Sequence, residues 1–128
     1  MIHLIDLRTG LMFGLVAFTA TQLLPSMGLS PELPGAAAGE LAQRQFWWLL
    51  TVVGTLAGIG LIAWGNIATK IVGAVMIGAP HLVGAPLPPE FEGVVPPELA
   101  ALFTARVLAV GALTWAALGA LAGHFWSR

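Results

Sequence analysis

The acidic residues of the chain are concentrated in two short stretches. SPELPGAAAGELA at 30–42 and PPEFEGVVPPELA at 88–100 hold every acidic residue except Asp6. A histidine precedes the second stretch, directly after Pro80. Carboxylates and an imidazole are ligands that borderline divalent cations such as cobalt, nickel and zinc accept. We therefore predict one divalent-cation site, whose ligands are Glu32, Glu40, His81, Glu90 and Glu98.

Each of these residues also has a structural interpretation, which the sequence leaves open. Glu40 and Glu98 fall at helix starts, where the helix dipole favours an acid. Solvated loop charges are the alternative for the remaining acids of the two stretches, Glu32, Glu90 and Glu92. His81 follows Pro80 at the point where the third helix is predicted to break, and is alternatively a lone histidine at the membrane interface.

Two arginines follow the acidic stretches. Arg44 comes four residues after Glu40, which is the spacing of an ion pair on one helix face. Arg106 lies deeper, about two helical turns past Glu98, where a charge must snorkel, face the bundle or meet an acid. We predict a structural ion pair for each arginine.

Composition places the chain in a membrane. Of its 128 residues, 58% are hydrophobic and only 9% are charged, and the mean hydropathy is +0.90. There are too few polar side chains to cover an apolar core in water, so lipid is the predicted solvent. A net charge of −1 and the absence of cysteine exclude nucleic-acid binding and thiol chemistry. The sequence contains no nucleophile–base pair, so we predict that the chain is not an enzyme and binds no resident cofactor.

Gaps between the charges define four apolar segments. A membrane-spanning helix needs roughly 20 apolar residues, and lipid requires that its backbone groups bond internally. We therefore predict a single all-α membrane domain over 1–128, with four transmembrane helices of which the third is the shortest. Their apolar parts are residues 11–24, 46–64, 71–79 (extended back to Ile67) and 107–126.

The two acidic stretches resemble each other without gaps. Glu90 follows Glu32 by 58 positions, and Glu98 follows Glu40 by the same 58; Pro31, Gly35, Leu41 and Ala42 match at this offset too. The pattern predicts two tandem helix–acidic loop–helix units, about 9–66 and about 67–126, related by an axis along the membrane normal. Chance similarity of two helix-start signals is the alternative.

This arrangement places both acidic loops on one side of the membrane. Arg8, Lys70 and Arg128 fall on the other side, which the positive-inside tendency makes cytoplasmic. We therefore predict an inner-membrane protein with cytoplasmic termini and external acidic loops.

Small and aromatic residues indicate how the helices pack. Glycine pairs spaced by four residues let helix backbones approach closely, and they occur at Gly10 and Gly14, Gly54 and Gly58, and Gly119 and Gly123. The tryptophans Trp47, Trp48, Trp64 and Trp126 are predicted to anchor the two membrane interfaces.

Three blocks resemble a known family. PELPGAAAGELAQRQFWWLLTVV, APHLVGAPLPPE and VPPELAALF, followed by the terminal W-x-x-x-G-x-x-x-G run, resemble the predicted cobalt transporter subunit CbtA over about residues 10 to 128. The resemblance implies that the chain corresponds to the carboxy-terminal portion of family members, with cobalt as the transported ion and a small histidine-rich partner. It points to Glu32, Glu40, Arg44, His81 and Glu98.

Two functions from different classes remain open at this point. The first is a membrane component of a divalent-metal uptake system, in which the acidic loops and His81 collect the cation. The second is a non-transporting accessory subunit that packs within a larger membrane complex. Four short helices do not enclose a broad pathway, so we expect a homo-oligomer or other membrane subunits in either case.

Overall fold

The part of the chain that the structure describes consists of helices joined by loops. The computed structural model describes residues 5–90 and 93–128, and β-strands do not occur in these ranges. The helices are α1 (Leu7–Phe18), a π-helical segment (Thr19–Leu23), α2 (Leu24–Ser26), α3 (Leu41–Trp64), α4 (Ile67–Val83) and α5 (Pro97–Trp126). The first three run on without interruption and form one span, Leu7–Ser26.

The predicted fold class is confirmed. Three helical stretches are long and apolar enough to cross a membrane, namely Leu7–Ser26, α3 and α5. α4 is equally apolar but has only 17 residues, in agreement with the prediction that the third helix is the shortest. Asp6 caps the first span, because the backbone N–H of Thr9 donates to its Oδ1 at 2.8 Å. That bond lowers the pKa of Asp6.

The helices pack as two antiparallel pairs. α1 lies against α5, and α3 lies against α4. A Cβ on Gly10 would collide with the carbonyl oxygen of Gly119, and a Cβ on Gly58 would lie 2.6 Å from the carbonyl oxygen of Gly73. The backbones touch where the side chains are absent, so the predicted role of the glycine pairs is confirmed.

The principal helix contacts between the two pairs lie near one end. There α3 meets the π-helical segment and α2. Pro25 has no N–H to donate to the carbonyl oxygen of Thr21, four residues before it. The indole Nε1 of Trp48 donates to that oxygen at 3.0 Å. The carbonyl oxygen that Pro25 leaves without a donor in the first span thus accepts a hydrogen bond from α3.

α4 continues through its proline. The prediction that the helix breaks at Pro80 is wrong, because α4 extends to Val83 and ends at Gly84, whose φ of 88° suits glycine. The indole Nε1 of Trp47 donates to the carbonyl oxygen of Pro80 at 3.0 Å, which ties this last turn to α3. Trp47 is only 5% exposed, so its predicted role as an interface anchor is also wrong.

The two loops that carry the acidic stretches meet at the same end of the bundle. A Cβ on Gly39 would lie 3.1 Å from the carbonyl oxygen of Pro86, and a Cβ on Gly93 would lie 3.0 Å from that of Gly35. The opposite end exposes Trp64 and Trp126, at 81% and 76%, as expected for tryptophans at a membrane interface.

Candidate functional site

A cavity of about 670 Å³ lies where the two loops meet the ends of α3 and α5. The first loop contributes Glu32 and Leu33, the second contributes Pro86 and Leu87, and the helices contribute Arg44 and Thr104. The prolines hold the loop backbones extended, and the hydroxyl of Thr104 donates to the carbonyl oxygen of Pro31 at 3.4 Å. This loop-end cavity therefore combines apolar walls with one carboxylate and one guanidinium.

Those two charges form an ion pair. Arg44 Nη2 lies 3.3 Å from Glu32 Oε2, and the two side chains are 25% and 31% exposed. Helical spacing predicted Glu40 as the partner of Arg44, and the structure corrects this. The carboxylate of Glu40 accepts the backbone N–H groups of Ala42 and Gln43, both at 3.0 Å, so it faces the helix end and Arg44 turns to the loop instead.

The second acid at a helix start has a related position. Glu98 lies in the first turn of α5, directly after Pro97 at the first helical position. Its exposed carboxylate complements the positive end of the helix dipole. For Glu40 and Glu98, therefore, the geometry agrees with the helix-start interpretation.

His81 lies in the last turn of α4, beside a second cavity of about 550 Å³. Its ring meets the Trp47 indole edge to face, with centroids 5.7 Å apart and planes at 83°. Its Nε2 is buried and, among the described residues, has no hydrogen-bond partner. Gly28 and Leu87 line both cavities. The imidazole therefore lies in the cavity that adjoins the one holding the Glu32–Arg44 pair, and not in the same cavity.

The remaining predicted ligands are spread out. Glu90 is exposed in the second loop, and Glu92 lies outside the described residues. Over 5–90 and 93–128, no group of three or more histidine, aspartate or glutamate side chains is close enough to hold a metal ion. The convergence of Glu32, Glu40, His81, Glu90 and Glu98 on one cation stays a prediction.

Arg106 lies on the exposed surface of α5. No carboxylate in the described part of the chain is within ion-pair distance of its guanidinium. The predicted ion pair is therefore present for Arg44, with a different partner, and is not seen for Arg106 among these residues.

Two features of the site were not predicted from the sequence. One is the Glu32–Arg44 pair, and the other is the contact of Trp47 with Pro80 and His81. The sequence carries no signal for the second, because Trp47 donates to the carbonyl oxygen of Pro80 itself, which also accepts the N–H of Gly84. The oxygen that the Pro80 ring leaves without its usual donor is that of Met76.

Comparison with known proteins gives one match. The family described as "Probable cobalt transporter subunit (CbtA)" matches residues 1–127, which is essentially the whole chain. No curated protein and no solved structure matches the chain.

Proposed function

The chain belongs to the CbtA family of probable cobalt transporter subunits, and we propose that it is the membrane component of a divalent-metal uptake system that carries cobalt. A transporter subunit works in a membrane with other membrane subunits, and this agrees with the expectation that the chain is not an enzyme. The partners we propose are further copies of this chain or a small histidine-rich membrane protein.

The observation that carries the proposal is the loop-end cavity. Among the residues that the structure describes, its one carboxylate is that of Glu32, near the point where both acidic loops meet. Arg44 neutralises that carboxylate in the absence of a cation. A divalent ion that reaches Glu32 competes with the guanidinium for the same oxygen, so capture of the ion releases the first loop from α3.

His81 supplies the second ligand of the proposed path. Its buried, unpartnered Nε2 lies in the adjoining cavity, and a metal needs the neutral imidazole. We propose that the cation passes from Glu32 to His81, with Glu40, Glu90 and Glu98 drawing it to the loop end. Metal affinity is then expected to fall at low pH, because protons compete with the metal for its ligands.

Helix pairing supports the proposed repeat. A two-fold axis that exchanges residues 9–66 with 67–126 carries the first span onto α4 and α3 onto α5. It therefore turns the pair α1–α5 into the pair α4–α3, and these are the two pairs observed. Both cavities lie between the two units. Transporters built from repeats also place their substrates at the repeat interface, but nearer the bilayer midplane than these loop-end cavities.

The orientation of the loops is testable because the chain has no cysteine. Cysteines at Ala38 and Val94, which are exposed positions in the two loops, are expected to react with a membrane-impermeant thiol reagent added to intact cells. A cysteine at Ala68, an exposed position near the start of α4, is the matched control and should react only after lysis. The opposite labelling pattern would invert the proposed topology, and labelling of one loop alone would exclude the parallel repeat.

Metal binding and uptake test the function itself. Calorimetry with cobalt chloride is expected to show binding to the purified protein that weakens about tenfold or more in Glu32→Gln and His81→Ala, because each removes one of few ligands. Asp6→Asn, an acid-to-amide change at the far end, should leave binding intact. Cobalt uptake by cells that depend on this protein should fall in the same two variants.

The results also separate the two functions left open by the sequence. Binding that is absent, or that survives both ligand substitutions at full affinity, would reject the proposed site. If cobalt uptake also persisted in those variants, the accessory-subunit interpretation would stand.

A further inference from the structure

A groove of about 420 Å³ runs along the outer face of α5, away from both cavities described above. Its floor consists of α5 residues spaced three and four apart, so they share one face of that helix. Gln22, on the π-helical segment, forms its wall. The α5 residues are Phe103, Arg106, Val107, Val110, Gly111, Thr114 and Trp115.

The charged end of the groove lies at the depth of lipid headgroups. Gly111 is level with Gln22, because a Cβ on Gly111 would collide with the Gln22 side-chain oxygen. Arg106 is five residues nearer the loop end than Gly111, which is about 7.5 Å along the helix. Ser26, where the first span ends, is four residues beyond Gln22, or about 6 Å. Arg106 therefore lies level with Ser26. It also directly precedes the apolar residues 107–126, whose length of about 30 Å matches the hydrocarbon core and places Arg106 at its edge.

The polar groups of the groove lack partners within the described chain. The guanidinium of Arg106 is exposed with no carboxylate in ion-pair distance among residues 5–90 and 93–128. In the same ranges, the buried Oε1 of Gln22 accepts no hydrogen bond. An arginine on the lipid-facing side of a helix is costly unless a counter-charge reaches it, and its planar fork matches a phosphate.

We propose that this groove binds an anionic phospholipid. The phosphate lies on Arg106 at the headgroup level, and one acyl chain follows the apolar floor past Val107 and Val110 towards Trp115. A zwitterionic lipid carries its own ammonium beside the phosphate, so it leaves the charge of Arg106 less well compensated. The charge complementarity therefore favours a headgroup with net negative charge, such as phosphatidylglycerol.

The test is the retention of lipid by the purified protein. Protein reconstituted in equal amounts of phosphatidylglycerol and phosphatidylcholine is released gently, and the bound lipids are counted by native mass spectrometry. The wild type is expected to retain phosphatidylglycerol about fivefold more than phosphatidylcholine, the ratio that one basic group near an anionic headgroup supplies. Arg106→Gln is expected to bring this ratio close to one.

Two further variants make the result decisive. Arg8→Gln removes an exposed arginine at the other end of the bundle and should keep the preference. Val110→Trp keeps the charge but fills the groove, so it should reduce retention of both lipids; if Arg106→Gln does not fold, this variant alone decides. An unchanged ratio in Arg106→Gln, or unchanged retention in Val110→Trp, overturns the proposal. The proposal is also overturned if Arg106→Gln loses an oligomer while its lipid retention is unaltered. That result would mean that Arg106 forms an ion pair with an acidic residue of a neighbouring subunit.

Discussion

Gly119→Ala is expected to destabilise the folded protein in detergent by about 2–3 kcal/mol, or to prevent folding. A Cβ on Gly119 would collide with the carbonyl oxygen of Gly10, which is backbone and has no other rotamer to adopt. α1 and α5 would have to move apart along their whole contact. Thermal unfolding of the purified variant, followed by circular dichroism, measures the effect.

Gly78→Ala is the matched control. The position also lies inside a membrane helix, α4, and a Cβ there would have no atom within 4 Å. The same substitution is expected to stabilise the protein slightly, by about 0.5–1 kcal/mol, because alanine loses less backbone freedom in a helix than glycine. Equal losses in the two variants would show that α1 and α5 do not approach as closely as the structure indicates.

Trp47→Ala is expected to cost about 3–5 kcal/mol. The indole is 5% exposed, packs on His81 and donates to the carbonyl oxygen of Pro80. Trp64→Ala removes the same side chain from a site where it is 81% exposed, and the unfolding temperature should change little. The comparison therefore isolates packing inside the bundle from the anchoring of tryptophan at the interface.

Trp47→Phe separates the hydrogen bond from the packing. It keeps an aromatic ring but removes the N–H, and we expect a loss of about 0.5–1.5 kcal/mol, because the Pro80 oxygen loses one hydrogen bond and keeps the one from the N–H of Gly84. A loss as large as that of Trp47→Ala would mean that the bond rather than the ring holds the last turn of α4. No loss in either variant would contradict the observed burial.

Much of the fold is predictable because lipid imposes simple rules. Length and hydropathy alone predict the spans, and glycine spacing predicts surfaces at which helix backbones approach closely, while the choice of partner helix comes from the structure. The continuation of α4 through Pro80 is not predictable in this way. The bond that accompanies it comes from a tryptophan on another helix, 33 positions away in the sequence, and no local pattern encodes that contact.

The site is harder to predict than the helices for a related reason. Helical spacing offers Arg44 one partner, Glu40, and the loop offers another, Glu32. Which one it takes depends on whether Glu40 is already occupied by the N–H groups of Ala42 and Gln43. Capping outcompetes the ion pair here because the cap bonds form within the same turn. Such competition is decided by three-dimensional geometry.

The adjacent tryptophans of α3 give the bundle an asymmetric stiffness. Consecutive residues on a helix point about 100° apart, so Trp47 reaches α4 while Trp48 reaches the first span. Both of these connections lie in the leaflet beneath the loops. Of these two bonds, that of Trp48 joins the two helix pairs, because α3 and α4 belong to the same pair. In the leaflet that holds the termini, the principal contacts among residues 5–90 and 93–128 include none between the pairs. Lateral pressure from the bilayer therefore acts on two helix pairs that are joined at the loop end. Thinning or thickening of the other leaflet is expected to change the separation of the two pairs there, while the loop end keeps its shape.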